Sequence, residues 1–163
     1  MKIVIFGCDN TGKSTLGAYL AEMLNGKCVH SPGVVPIEQM KEFMETNLES
    51  EETVIFDRFP IIEEHVYGPL FRGENKFKDS EYNKSILDKV DLFIYCNPKF
   101  FSILNWGTRD QYPGVKENVL EIIKQYNLAA FTLRYKGHYV VEYNFDFQHP
   151  SEMIWQARTV NKK

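Results

Sequence analysis

Two groups of residues in this sequence have types and spacings that could do chemistry. The first is Gly7-Cys8-Asp9-Asn10-Thr11-Gly12-Lys13-Ser14-Thr15, a glycine pair with four residues between them, then Lys and a hydroxyl. A polyphosphate needs many N–H donors at close range, and side chains would hold the backbone away from it. Gly7 and Gly12 remove that obstacle. The loop amides, those of Asn10 and Thr11 among them, then converge on phosphate where a helix starting near Lys13 presents its positive dipole end, with Thr15 in its first turn. Lys13 would reach the β- and γ-phosphates of a nucleotide such as ATP, and the Ser14 hydroxyl would ligate Mg²⁺.

The second group is Asp57-Arg58-Phe59-Pro60. An Asp just after an apolar run can hold a Mg²⁺-bound water or the Ser14 hydroxyl, and an Arg beside it offers a planar fork to a second anionic group. Further on, Tyr67-Gly68-Pro69-Leu70-Phe71-Arg72-Gly73 carries another arginine, Arg72, next to glycines that permit close approach.

These residues need a scaffold, and the apolar pattern supplies one. Ile3-Val4-Ile5-Phe6 runs straight into the first loop, and Leu16, Tyr19, Leu20, Met23 and Leu24 follow it at helical spacing. The same alternation continues to the end of the chain. Strands are expected at 2–6, 27–30, 53–56, 90–96 and 138–143. Helices are expected at 13–24, 36–48, 60–67, 79–88, 98–105, 115–135 and 150–157, with loops at 67–78 and 107–114. Strands alternating with helices predict an α/β three-layer sandwich, a five-stranded parallel sheet with helices on both faces. In such sheets ligands bind beyond the carboxyl ends of the strands, where both groups fall. On the 115–135 helix, Tyr126, Phe131 and Tyr135 fit either core or a dimer seam.

The bulk numbers agree with one domain over 1–163. The chain has 163 residues, 44% of them hydrophobic, enough for one core and little more. A net charge of -3 argues against holding duplex nucleic acid by overall charge. Cys8, Cys28 and Cys96 lack metal-like spacing and read as buried reduced thiols. The first strand leaves no room for a signal peptide, and no apolar run approaches about 18 residues. The expectation is a cytoplasmic protein with no membrane partner.

With these residues in view, the chain resembles the thymidylate kinase-like P-loop kinases of deoxynucleotide metabolism, including small bacteriophage members, whose site would be the host cytoplasm. The resemblance rests on the loop at 7–15 with Asp9 in its third position and on Asp57-Arg58-Phe59 leading to the motifs at 67–73. It rests also on Val90-Asp91-Leu92-Phe93-Ile94-Tyr95 followed by Asn97-Pro98. It implies a strand order of 2-3-1-4-5 and Mg-ATP-dependent transfer to a small-molecule nucleotide. Arg58 would bind the acceptor phosphate, Asp57 would serve the metal or the acceptor, and Asp9 would face the acceptor sugar. Phe59, Phe71 and Tyr67 are candidates for a base platform, and a homodimer is open.

Asn10 stands where some thymidylate kinases carry a basic residue. Members without one take a catalytic arginine from a lid. The lid candidate is 106–114, with Arg109 its arginine and glycines at either end to act as hinges. The stretch His30-Ser31-Pro32-Gly33 lacks the charges of the Arg-Glu-Pro-Gly run that thymidylate kinases usually have there.

The acceptor stays open at this level. A monophosphate is already a nucleophilic anion and needs arginines, whereas a hydroxyl needs a base to take its proton. Related deoxynucleoside kinases place a Glu after the second strand for that task, and its absence here favours a monophosphate. Asp57, Glu38 or His30 could still be a base for a nucleoside, and a hydroxyl on a polynucleotide or modified base is a third acceptor. The chain lacks an NKxD motif and an acidic pair at the end of Phe93-Ile94-Tyr95-Cys96, which speaks against a GTPase switch or an ATPase motor. A non-catalytic nucleotide-binding module is the alternative outside the enzymes.

Overall fold

Strands buried on both faces need apolar side chains at nearly every position, and three segments here meet that demand. The computed structural model describes residues 1–98 and 114–160. In chain order the elements are β1 (Lys2–Phe6), α1 (Lys13–Met23), β2 (Lys27–His30), α2 (Ile37–Glu49), β3 (Val54–Asp57) and α3 (Pro60–Tyr67). Then come α4 (Ser80–Leu87), β4 (Leu92–Cys96), α5 (Val119–Tyr135), β5 (Val140–Tyr143) and α6 (Ser151–Val160). The strands form one sheet in the order β2-β3-β1-β4-β5, every pair parallel. β1, β3 and β4 are buried along their whole length, whereas β2 and β5, at the edges, are only partly covered.

Side chains alternate across the sheet with period two and divide the core into two layers. Val4 and Phe6, Val54 and Phe56, and Phe93 and Tyr95 point to one face, where Met40 and Met44 of α2, Ile62 and Val66 of α3 and Ile122 and Tyr126 of α5 cover them. Ile3 and Ile5, Ile55, and Leu92, Ile94 and Cys96 point to the other, against Leu16 and Leu20 of α1 and Met153 and Ala157 of α6. Parallel strands joined by helical crossovers leave all the strand C-termini on one edge, so β1 delivers the glycine loop beside the end of β3. Register confirms it: Ile5 pairs with Asp57 and His30 pairs with Asp57 from the other side.

The expected elements appear with shifted ends. The long helix starts at Val119, after a turn at 114–118. α4 is capped by Asp79, whose carboxylate accepts from the amides of Glu81 and Tyr82, both at 3.0 Å. The expected loop at 67–78 differs most. Gly68–Arg72 continues α3 as a single π turn, which ends at Gly73 in the left-handed region (φ 74°). Tyr126 is buried, while Phe131 and Tyr135 of the same helix stand exposed. The helix expected at 98–105 and the lid candidate with Arg109 lie outside the described residues apart from Pro98 and Gly114. No helix among the described residues is long and apolar enough to cross a membrane.

Candidate active site

The loop after β1 takes the shape its glycines allow. Gly7 (φ 143°) and Gly12 (φ 77°) have positive φ, and so does Asn10 (φ 59°). A Cβ on Gly7 would meet the Cys96 carbonyl oxygen at 2.5 Å, so β4 and the loop pass too close for any other residue. α1 begins directly after Gly12 with no side chain capping it, which leaves its first amides directed at the loop interior. Thr11 and Lys13 are buried. The Thr11 hydroxyl donates to the Cys8 carbonyl at 2.7 Å, and the Lys13 ammonium donates to the same carbonyl and lies 3.4 Å from Thr11 Oγ1. Thr15 is exposed in the first turn of α1. Burial pushes the Cys8 thiol up to about 11 despite the nearby Lys13 charge, so the cysteine inside the loop is a neutral packing group.

Asp57 is the hub between strands. It is 2% exposed, and its Oδ2 accepts the Ser14 hydroxyl at 2.6 Å while His30 Nδ1 lies 2.9 Å away. Its other oxygen, Oδ1, is buried with no hydrogen-bond partner among the described residues. A buried carboxylate oxygen without a donor beside a hydroxyl suits Mg²⁺, which takes one or two protein oxygens and fills its octahedron with phosphate and water. The residues present therefore fit the ion that the loop implies.

Arg58 has φ 72°, a left-handed conformation that a residue with a Cβ adopts at a cost of about 1–3 kcal/mol. Its amide donates to the Ile5 carbonyl at 3.0 Å, and the turn swings the side chain toward the cradle. There the guanidinium bonds Asp9, inside the loop, and Glu63 Oε2 at 2.7 Å. Tyr126 from α5 donates to the other Glu63 oxygen at 2.6 Å. Burial by itself would lower the Arg58 pKa, but Glu63, Tyr126 and Tyr67 together outweigh it, so the pKa is raised and the group stays fully charged.

A cavity of about 330 Å³ opens from this point, within the range of small-ligand sites. Asp9, Arg58, Glu63, Glu64, Tyr67, Phe71 and Arg72 line it, together with Ser31, Met40 and Val115 from other elements. Tyr67 and Phe71 stack with ring centroids 5.9 Å apart. Burial, and after it the Glu63 charge, hold the Tyr67 hydroxyl at about 12.

Phe59 is not part of this lining. As the residue before α3 it has an extended backbone that turns its ring inward, and it is fully buried edge-on to Phe56 at 5.1 Å. Of the three base-platform candidates, Tyr67 and Phe71 line the cavity and Phe59 does not. Glu38 is exposed at the start of α2 and does not line the cavity.

No protein-family model matches the chain, and no curated protein matches it in sequence. Solved structures do match it. The YorR protein of Bacillus subtilis, in complex with phosphorylated GDP, is 17% identical over 99% of this chain and 96% of its own, with a TM-score of 0.75. The deoxyadenosine kinase of M. mycoides, with products dCMP and a flexible dCDP bound, is 16% identical over 99% of each chain, TM-score 0.63. The thymidylate kinase of Candida albicans is 15% identical over 98% of this chain and 91% of its own, TM-score 0.62. The fold is that of the P-loop kinases.

Glu63 and Glu64 were not singled out by the sequence patterns. A signal was present: Glu64 falls on the apolar stripe of α3, four residues after Pro60 and three after Ile61, and a carboxylate there is buried unless the helix turns away. The acid that ties Arg58 to Tyr126 had no such mark, because its partner is 63 residues distant in sequence.

Proposed function

We propose that the chain is a Mg-ATP-dependent phosphotransferase whose acceptor is a deoxynucleoside monophosphate, with a thymidylate-like base favoured. The observation that carries this reading is the Asp9–Arg58–Glu63 chain of contacts, which ties the cradle directly to the wall of a ligand-sized cavity. Donor phosphates would lie on the loop amides and Lys13. The acceptor would lie in the cavity, its phosphate on Arg58 and its base against Tyr67 and Phe71, with Arg72 beyond. In that arrangement two anionic groups would lie on either side of Arg58, and positioning with charge neutralisation is most of what phosphoryl transfer requires. Ser14 and Asp57 would hold Mg²⁺, which when bound neutralises charge on the phosphates. Arg109 is proposed as the lid arginine on sequence grounds.

A deoxynucleoside acceptor is the second reading, and one feature favours it. The cavity wall carries Asp9, Glu63 and Glu64 against Arg58 and Arg72, so carboxylates outnumber arginines where a dianionic phosphate would have to enter.

The test is incubation with Mg-ATP and a panel of nucleosides and monophosphates, with products resolved by chromatography. Transfer to monophosphates supports the first reading, and transfer to nucleosides alone replaces it with the second. Micromolar ATP binding without transfer to any of them defeats both. Lys13→Ala is expected to cut transfer by at least about a hundredfold, the scale of losing one preorganised charge at the reacting phosphate, and full activity in that variant would refute the cradle assignment.

A further inference from the structure

The far end of the cavity holds a buried carboxylate whose task the reading above leaves open. Glu64 is 3% exposed, yet it lines the cavity wall. One of its oxygens accepts from Arg72 Nη2 at 2.5 Å, and the other receives a long contact, 3.4 Å, from the Lys76 amide. The π turn makes this meeting geometrically feasible. It brings the chain back so that Gly68 packs against the segment it leads into: a Cβ there would meet the Glu74 carbonyl at 2.5 Å and Glu64 Oε2 at 3.2 Å. Glu64 is thus enclosed by the turn whose last residue it binds.

The electrostatics say what such a residue is for. A carboxylate taken out of water is unfavourable unless it is paired, and among the described residues Glu64 is paired with the Arg72 guanidinium alone. Arg72 donates one N–H to Glu64, and among the described residues its buried Nε–H has no hydrogen-bond partner. A guanidinium has five N–H groups in a rigid plane, so fixing one of them fixes the direction of the rest. The result is an arginine held in one orientation, not saturated, beside the Tyr67 and Phe71 rings.

We propose that Glu64 is a positioning residue for acceptor recognition: it orients Arg72 to hydrogen-bond the carbonyl or ring-nitrogen edge of an acceptor base lying on Tyr67 and Phe71. This rests on the acceptor-cavity reading above. Without Glu64, Arg72 sweeps many rotamers and recognition weakens while the phosphate end, on Arg58, is untouched.

The test compares Glu64→Gln, Arg72→Gln and the double variant in steady-state kinetics, with circular dichroism and thermal unfolding to verify the fold. Glu64→Gln keeps the shape and an acceptor oxygen but removes the charge. The expected result is an acceptor KM raised about tenfold, the loss of one charge-assisted hydrogen bond, with kcat within about threefold and the ATP KM unchanged. The double variant is expected to be no worse than Arg72→Gln, since Glu64 acts through Arg72. Equal losses from the two residues that simply multiply would overturn the proposal, as would a Glu64→Gln variant that loses stability but keeps its acceptor KM. If the wild-type protein transfers phosphate to nothing, the kinase reading falls by itself. Glu64 is then judged by calorimetric binding of dTMP, dGMP, dAMP and dCMP, where Glu64→Gln must weaken the tightest of them about tenfold or the proposal fails.

Discussion

The Ser14 hydroxyl donates to Asp57 across 2.6 Å, joining the first turn of α1 to the last residue of β3. Every other part of the candidate site is arranged around that junction. On one side the cradle opens toward Lys13, and on the other Arg58, the next residue after Asp57, turns through a left-handed conformation to reach Asp9.

Replacing Asp57 with Asn probes the junction directly. The amide has nearly the same shape but no charge and a single acceptor oxygen, where the carboxylate now receives Ser14 on Oδ2 and Oδ1 has no donor among the described residues. Groups that orient or ligate a metal typically change its affinity 10- to 100-fold when altered. The Mg²⁺ concentration for half-maximal transfer is expected to rise about tenfold or more, read by titrating Mg²⁺ at fixed ATP. A variant with the wild-type Mg²⁺ dependence would remove Asp57 from the metal site.

Gly7 presents a steric limit with no flexible neighbour to relieve it. Its φ of 143° is unfavourable for other residues, and the atom a Cβ would strike at 2.5 Å is a backbone oxygen of β4. Gly7→Ala is expected to destabilise the protein by about 3 kcal/mol, combining backbone strain with an overpacked contact. Urea unfolding measures it. A midpoint equal to that of the wild type would show that the loop and β4 can separate cheaply.

Much of this was legible in the sequence, for a definable reason. The sheet and its strand ends could be read because both-face burial demands unbroken apolar runs such as Ile3-Val4-Ile5-Phe6, and because glycine spacing marks the loop whatever lies elsewhere. The cradle and Asp57-Arg58 are local in sequence and carry local signals. Contacts that close over long separations carry none. Nothing near Glu63 announces Tyr126, and nothing near Arg72 announces that a π turn will fold it back onto Glu64. Phe59 is the opposite case: its neighbours Asp57 and Arg58 are candidate site residues, but the extended backbone before α3 sends its ring into the core.

The buried thiols predict an alkaline limit to stability. Burial pushes Cys8 up to about 11 and Cys96 up to about 12 from an ordinary 9.0. Both pKa values are raised in the folded state, so the neutral thiols contribute stability that is complete below about pH 9 and is lost as pH climbs through the folded values. Each can weaken the fold by at most about 1.4 kcal/mol per pH unit in that window. Unfolding free energy, measured in urea at pH 8, 9, 10 and 11, is expected to fall above pH 9, and more gently in Cys96→Ala, which has one fewer thiol to ionise. Identical slopes in the two proteins would mean that the Cys96 thiol is not the group being titrated.

Tyr126 reaches the site from α5 through its hydroxyl alone, since its ring is fully buried among core residues. The hydroxyl donates to Glu63 Oε1 at 2.6 Å while Glu63 Oε2 accepts from Arg58 at 2.7 Å, so the tyrosine holds the acid that holds the arginine. Tyr126→Phe keeps the packing and removes the donor. Glu63 then loses one of the two groups that fix its plane, and the bond is worth about 1–2 kcal/mol to the fold, since its acceptor is charged. The expected outcome is a modest drop in unfolding free energy together with an acceptor KM three- to tenfold higher, because Arg58 is less firmly directed at the cavity. The donor KM should be unaffected, as among the described residues the Tyr126 hydroxyl bonds Glu63 and not Lys13 or the loop amides. Kinetics with each substrate varied in turn separate the two effects. If the donor KM moves and the acceptor KM does not, Arg58 serves the cradle and not the cavity, and the assignment of the two ends of the site must be exchanged.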